Sequence, residues 1–190
     1  MKRLTDGLLR LNPAADDNPK LADFHQSLIY IVNHDENGAI GVNLNKFFQS
    51  TVSDLLENRS DIPATQLDHL LIPNTLCGGP VYENMVWILR RRTKDYQKAF
   101  SNETLSLCFS NDGFSDLNSP ALIGVGCVSW NAGKLENELA QGLWLHYPAD
   151  QELLTNIPFS DPPLFAVHLF IKLRFEHQKV GEVNSQIDSK

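Results

Sequence analysis

Hydrophobic positions in this chain gather in short, separated bursts rather than in long helical stripes. Ser27–Asn33 (SLIYIVN) and Ala39–Asn45 (AIGVNLN) are rich in β-branched and aromatic residues, and HDEN with Gly38 lies between them. That pattern predicts a β-hairpin with His34 at the start of its turn and Gly38 supplying the bend. Further strands are predicted over Met85–Leu89, Thr104–Phe109 and Ala121–Val128. The last two show little alternation, which fits strands buried on both faces. Residues 12–23 (NPAADDNPKLAD) read as a loop, as does NDGFSDLNSP over 111–120.

Helical periodicity is clear in one place. Gly133–Gly142 reads as a helix, and Leu135, Leu139 and Leu143 recur every four residues along it and just past its end, so they form one stripe. With that stripe inward, Glu136 falls roughly 60° from its centre and borders the core, while Glu138 falls roughly 100° away. Glu138 shares a face with Lys134 and reads as solvated. A short helix is expected from Thr51 or Ser53 through Glu57, ending before Pro63, and an apolar run follows at Leu67–Ile72. Leu164–Phe175 satisfies both the strand and the helix period, and the residues after Gln178 are polar.

Length and composition narrow the class. A chain of 190 residues suits one domain with a core of its own, or two very small ones. Sixteen Lys and Arg against 23 Asp and Glu leave a net charge of −7, which opposes sequence-independent attraction to nucleic acid or anionic lipid. Three cysteines without CxxC spacing (Cys77, Cys108, Cys127) indicate neither a disulfide framework nor a zinc knuckle, and reduced thiols fit the cytoplasm. Asp6 and Arg10 interrupt any apolar leader, and no apolar run approaches the ~20 residues of a membrane helix.

Chemistry has few footholds in the motifs. The six histidines are scattered without HxxxH or HExxH spacing, so no metal is expected, and no cofactor is indicated. A GxSxG elbow is lacking. Gly124–Ser129 (GVGCVS) departs from the dinucleotide-binding turn at its third glycine, where Ser129 stands, and reads as a buried strand of small residues. Gly78-Gly79-Pro80 is a rigid turn, in which at least one glycine is expected to hold a backbone conformation closed to alanine. Arg90, Arg91 and Arg92 would alternate faces, giving a solvated edge that continues past Lys94 and Asp95. The candidate binding set is His34, Asn45, Gly78, Gly79, Pro80, Trp130 and Glu136; His34, Asn45, Gly79, Trp130 and Glu136 are expected around one site near the GGPV turn and the Trp130–Glu136 segment, since polar residues embedded in apolar blocks have few structural uses at once. No catalytic residue is assigned.

Three blocks in order carry a family resemblance. QSLIYIVNHDENGAIGVNLNK holds His34, Gly38, Ala39, Gly41 and Asn45 in register; LCGGPV matches a GGPV turn; and GCVSWNAGKLENELAQGLWLHYPAD matches a third block through Trp130, Gly133, Leu135, Glu136, Glu138, Leu139, Trp144 and Leu145. Over about Gly7–Asp150 the chain resembles the AlgH/YqgE-like family of bacterial proteins. Lys46-Phe47 stands where Arg-Pro is usual, Cys127 where Tyr is, Ser129 where Gly is, and Lys134 where Gln is. The resemblance implies a single α+β domain over 1–178 with a large mixed β-sheet and a few flanking helices, followed by a polar tail over 179–190. Some members carry the label of a transcriptional regulator of alginate synthesis. The expected role is a cytoplasmic regulatory domain that binds a small ligand or a protein partner, without specific direct binding to duplex DNA. A hydrolase using His34 or Glu136 as acid or base is the alternative.

Overall fold

The computed structural model describes residues 4, 5, 7–15, 17–47, 75–91, 100, 101, 105–109, 121–147 and 167. The expected helix after Thr51, the apolar run 67–72, the loop 111–120, the segment 164–175 except Val167, and the tail 179–190 lie outside them. Among the described residues nine strands form one sheet: β1 (Leu8–Leu11), β2 (Leu28–Asp35), β3 (Gly38–Asn43), β4 (Leu76–Cys77), β5 (Val81–Arg91), β6 (Phe100–Ser101), β7 (Leu105–Phe109), β8 (Ala121–Asn131) and β9 (Trp144–Tyr147). Their spatial order is β6-β7-β5-β8-β3-β2-β1-β9, and β4 joins β8 in the one parallel pairing among the described residues. The described part is a large, mostly antiparallel sheet with few helices, compatible with the expected α+β class. The helix α1 spans Lys134–Ala140.

Both faces of the sheet are buried, which explains the weak alternation. Tyr30, Val42, Trp87, Leu107, Leu122 and Tyr147 belong to one core. The sheet curls, so that β6 comes within 8 Å of β2 although four strands separate them in the ladder. Leu9, Ile29, Ile31, Trp130, Leu135 and Trp144 belong to a second core on the other face. Leu135 is fully buried there and anchors α1, while Leu139 and Leu143 pack at its margin. Burying one such leucine stabilises by about 1.5–3 kcal/mol.

Several local expectations are corrected. The hairpin loop is only Glu36-Asn37, so His34 lies inside β2, paired with Ala39, and not at the start of a turn. Asp35 builds that tight connection: its carboxylate accepts the Asn37 main-chain N–H at 2.8 Å and the Asn33 side-chain amide at 3.0 Å. Residues 12–23 are not a plain loop. Two 3-10 helices occupy Pro13–Ala15 and Pro19–Phe24, because Asn12 and Asn18 cap the N–H groups of Ala14 and Lys20, and Pro19 suits a first helical position. Arg90 is buried rather than a solvated edge, since β5 is an interior strand whose Arg90 pairs with Ser106 of β7 and Ala121 of β8. Arg92, Lys94 and Asp95 lie outside the described residues. Gly124–Ser129 is part of β8.

Candidate functional site

A register shift between Ile31 and Asn33 decides where His34 points. Along β2, Tyr30 and Val32 face the first core, whereas Ile29 and Ile31 face the second. Strict alternation would send His34 with Tyr30 and Val32, away from the helix. The extra residue at the bulge resets the alternation, so His34 pairs with Ala39, which pairs in turn with Trp130 of β8. Direct cross-strand partners share a face. His34, Ala39 and Trp130 therefore form one row beneath α1.

From α1, Glu136 reaches that row and places Oε1 3.0 Å from His34 Nε2. The other ring nitrogen, Nδ1, accepts the Leu4 main-chain N–H at 3.1 Å, and the His34 main-chain N–H donates to Thr5 Oγ1 at 3.0 Å. A nitrogen that accepts carries no proton, so the network assigns a neutral imidazole protonated on Nε2. His34 is 3% exposed. Glu136 is 23% exposed, and its carboxyl is held below the ordinary 4.5, first by its own backbone N–H and then by the bond from His34. Its Oε2 is buried and makes no hydrogen bond of good geometry among the described residues.

Glu138 was missed as a site of interest by periodicity. It is 15% exposed, not solvated, and its Oε2 accepts both the Trp130 indole N–H at 2.8 Å and the Trp144 indole N–H at 2.7 Å. Lys134 stands 3.9 Å from the other oxygen. The two indoles meet edge to face with centroids 6.0 Å apart, and Phe24 meets Trp144 in the same way at 5.6 Å. The available signal was two tryptophans flanking the acid in sequence, each bringing a donor that burial obliges to find an acceptor.

The remaining candidates lie elsewhere. Along β3, Ala39 and Asn43 are four residues apart, roughly 13 Å at strand rise. Beyond Asn43, Asn45 spends its side chain on main-chain groups: Oδ1 accepts the Leu28 N–H at 2.7 Å and Nδ2 donates to the Gln26 carbonyl at 2.7 Å. The Gly78 carbonyl accepts the Asn43 N–H and the Gly78 N–H donates to Val125, both at 2.8 Å. The structure thus brings together His34, Trp130 and Glu136, and places Asn45 with Gly78, Gly79 and Pro80 in a second region.

In that second region the turn is tightly determined. Gly79 has φ 154°, and a Cβ there would strike the Cys127 carbonyl and Val128. A Cβ on Gly78 would strike the Gly126 carbonyl and the Trp87 indole. Pro80 is exposed. Tyr82 follows at φ 54°, a left-handed conformation unusual for an aromatic residue, with 65% of its surface exposed. Cys77 has its thiol pushed up mainly by burial. Among the described residues no group of three or more His, Cys, Asp or Glu could hold a metal ion, and no helix is long and apolar enough to cross a membrane.

With this geometry in view, comparison with known proteins is informative. The AlgH-like family model matches residues 12–163. The chain belongs to the AlgH-like family. A UPF0301 protein of Dechloromonas aromatica (strain RCB) is 34% identical over 161 residues, 82% of this chain and 83% of that protein. The solution structure of the AlgH protein from Pseudomonas aeruginosa, also UPF0301, superposes with a TM-score of 0.63 at 29% identity, covering 83% of each chain. A crystal structure of the Corynebacterium diphtheriae protein DIP2367 shares the fold with a TM-score of 0.56 at 19% identity, over 87% of this chain and 94% of its own.

Proposed function

We infer that this AlgH-like chain is a regulatory binding domain that engages a small ligand or a protein partner through Pro80–Glu83, where the glycine turn enters β5. The observation that carries this reading is Tyr82, an aromatic side chain 65% exposed on a backbone held at φ 54°. A non-glycine residue in that conformation costs on the order of 1–3 kcal/mol, and such strain is retained where the side chain has work to do. Exposed Pro80 before it, exposed Glu83 after it and the fixed Gly78-Gly79 backbone make a rigid presentation of one aromatic ring. Rigid tyrosine suits binding because it offers amphipathic contact area at little entropic cost.

For the hydrolase alternative, the other region leaves only Glu136, and only as a base. His34 has no lone pair left for a substrate proton, since Nδ1 accepts from Leu4 and Nε2 faces Glu136. Glu136, held below 4.5, keeps no proton to donate near neutral pH. Duplex DNA is not the proposed partner, in keeping with the net charge of −7 and with Glu136 and Glu138 on the described helix.

Site-specific photocrosslinking tests the reading in cells that make the full chain. A benzophenone amino acid at position 82 should give a discrete adduct, and one at exposed Lys134 near the other region should not. Equal labelling from both positions, or none from position 82 with native mass spectrometry also showing no bound small molecule, would overturn it.

A further inference from the structure

The two nitrogens of His34 answer protonation in opposite ways, and each is bonded to a different part of the molecule. Nδ1 accepts from Leu4, in the segment leading to β1, and Nε2 donates to Glu136 of α1. Adding a proton at Nδ1 sets a ring N–H against the Leu4 N–H, two donors with no acceptor between them. The same proton gives the ring a charge and strengthens its bond to the Glu136 carboxylate. We propose that His34 is an acid-operated latch, whose protonation releases Leu4 from β2 while tightening the hold of β2 on α1.

The surroundings favour a clean response. From β3 and β8 the ring faces Ala39 and Trp130, neither of which titrates. Of the segment before β1, the described Leu4, Thr5 and Gly7 carry no ionisable side chain, while Asp6 between them lies outside the described residues and its titration must be separated from that of His34. On α1, besides Glu136, Glu138 is occupied by two indoles and by Lys134. Asp35, next along β2, alternates to the opposite face and bonds Asn33 and Asn37. On β9, His146 sets its Nε2 close to Gly7, where a Cβ would strike it, and its titration must also be separated from that of His34. The Thr5 hydroxyl bonds main chain and is indifferent to the proton, so opening begins at Leu4. This inference stands apart from the binding role assigned to Tyr82, and its test needs no ligand.

Nuclear magnetic resonance on the ¹⁵N-labelled full chain follows both ends of the ring. Near neutral pH the ring nitrogens should report the Nε2–H tautomer. As His34 takes up its second proton, hydrogen-exchange protection of the Leu4 amide should fall about fivefold to tenfold relative to its intrinsic rate, the loss of one hydrogen bond. A His34→Gln variant, whose side chain cannot take up the proton, should hold Leu4 amide protection level across the same pH range, and His146→Gln should leave the Leu4 response in place. Unchanged Leu4 protection through the His34 transition, a Leu4 response that persists in His34→Gln, or loss of the response in His146→Gln would each overturn the latch.

Discussion

Beneath α1, polar atoms are almost all spent on one another; at the Gly78–Glu83 turn, the chemistry is turned outward. His34, Trp130 and Glu138 are largely hidden, and their donors and acceptors close the helix onto the sheet and onto the segment before β1. Tyr82 and Pro80 have the reverse character, with exposed side chains on a backbone that Gly78 and Gly79 hold in place. A buried polar group must be partnered whatever the protein does, so its presence in an apolar block is explained by architecture alone. At Tyr82 the left-handed backbone falls where β5 slips register against β8 between Val81 and Val86, and that irregularity accounts for the backbone but not for an aromatic ring left exposed on it. On the proposed reading, that contrast leaves scaffolding to the helix end and recognition to the turn.

The contrast breaks first at Trp130. Trp130→Ala should destabilise the fold by about 3–5 kcal/mol in urea denaturation, because it empties a packed site beside Trp144; a loss under 1 kcal/mol would make this region something other than scaffold. Gly79→Ala should cost at least about 2 kcal/mol, combining left-handed strain with the collision against Cys127. Unchanged stability would mean the turn is soft. Glu138→Ala leaves two indole N–H groups without their acceptor, for a loss of about 1–3 kcal/mol. Trp fluorescence should shift with it, and a neutral outcome would return Glu138 to a merely solvated face.

Smaller effects sharpen the comparison. Tyr82→Gly should raise stability by about 1 kcal/mol while removing the contact made by the ring, the sign expected where strain serves recognition. A loss of stability would show the ring supporting the fold. For Glu136 the sign follows from its lowered pKa. The folded carboxyl sits below 4.5, so its contribution is present above that value and fades as pH falls through the folded pKa. In Glu136→Gln the difference from wild type in urea midpoint should therefore narrow below pH 4.5; a constant difference down to pH 3 would remove the carboxylate from the account.

Much of this was legible in the residues themselves. The β2–β3 hairpin, the strand after the GGPV turn, β7, β8 and the helix all followed from β-branched density, turn residues and a leucine period, since these signals reflect forces acting within a few residues. Glycine's special role at the turn was equally local. What the chain order could not convey was a matter of faces and partners. A single bulge in β2 turned His34 toward α1, and no propensity marks where a strand gains an extra residue. Arg90 seemed solvated beside two other arginines, yet strands distant in sequence flank it on both sides. Glu138 lay on a solvent-facing arc of an isolated helix, and only the approach of two indoles from β8 and β9 buried it. Local periodicity depends on backbone geometry that neighbours share, whereas burial and hydrogen-bond partners depend on which distant segments the sheet brings alongside.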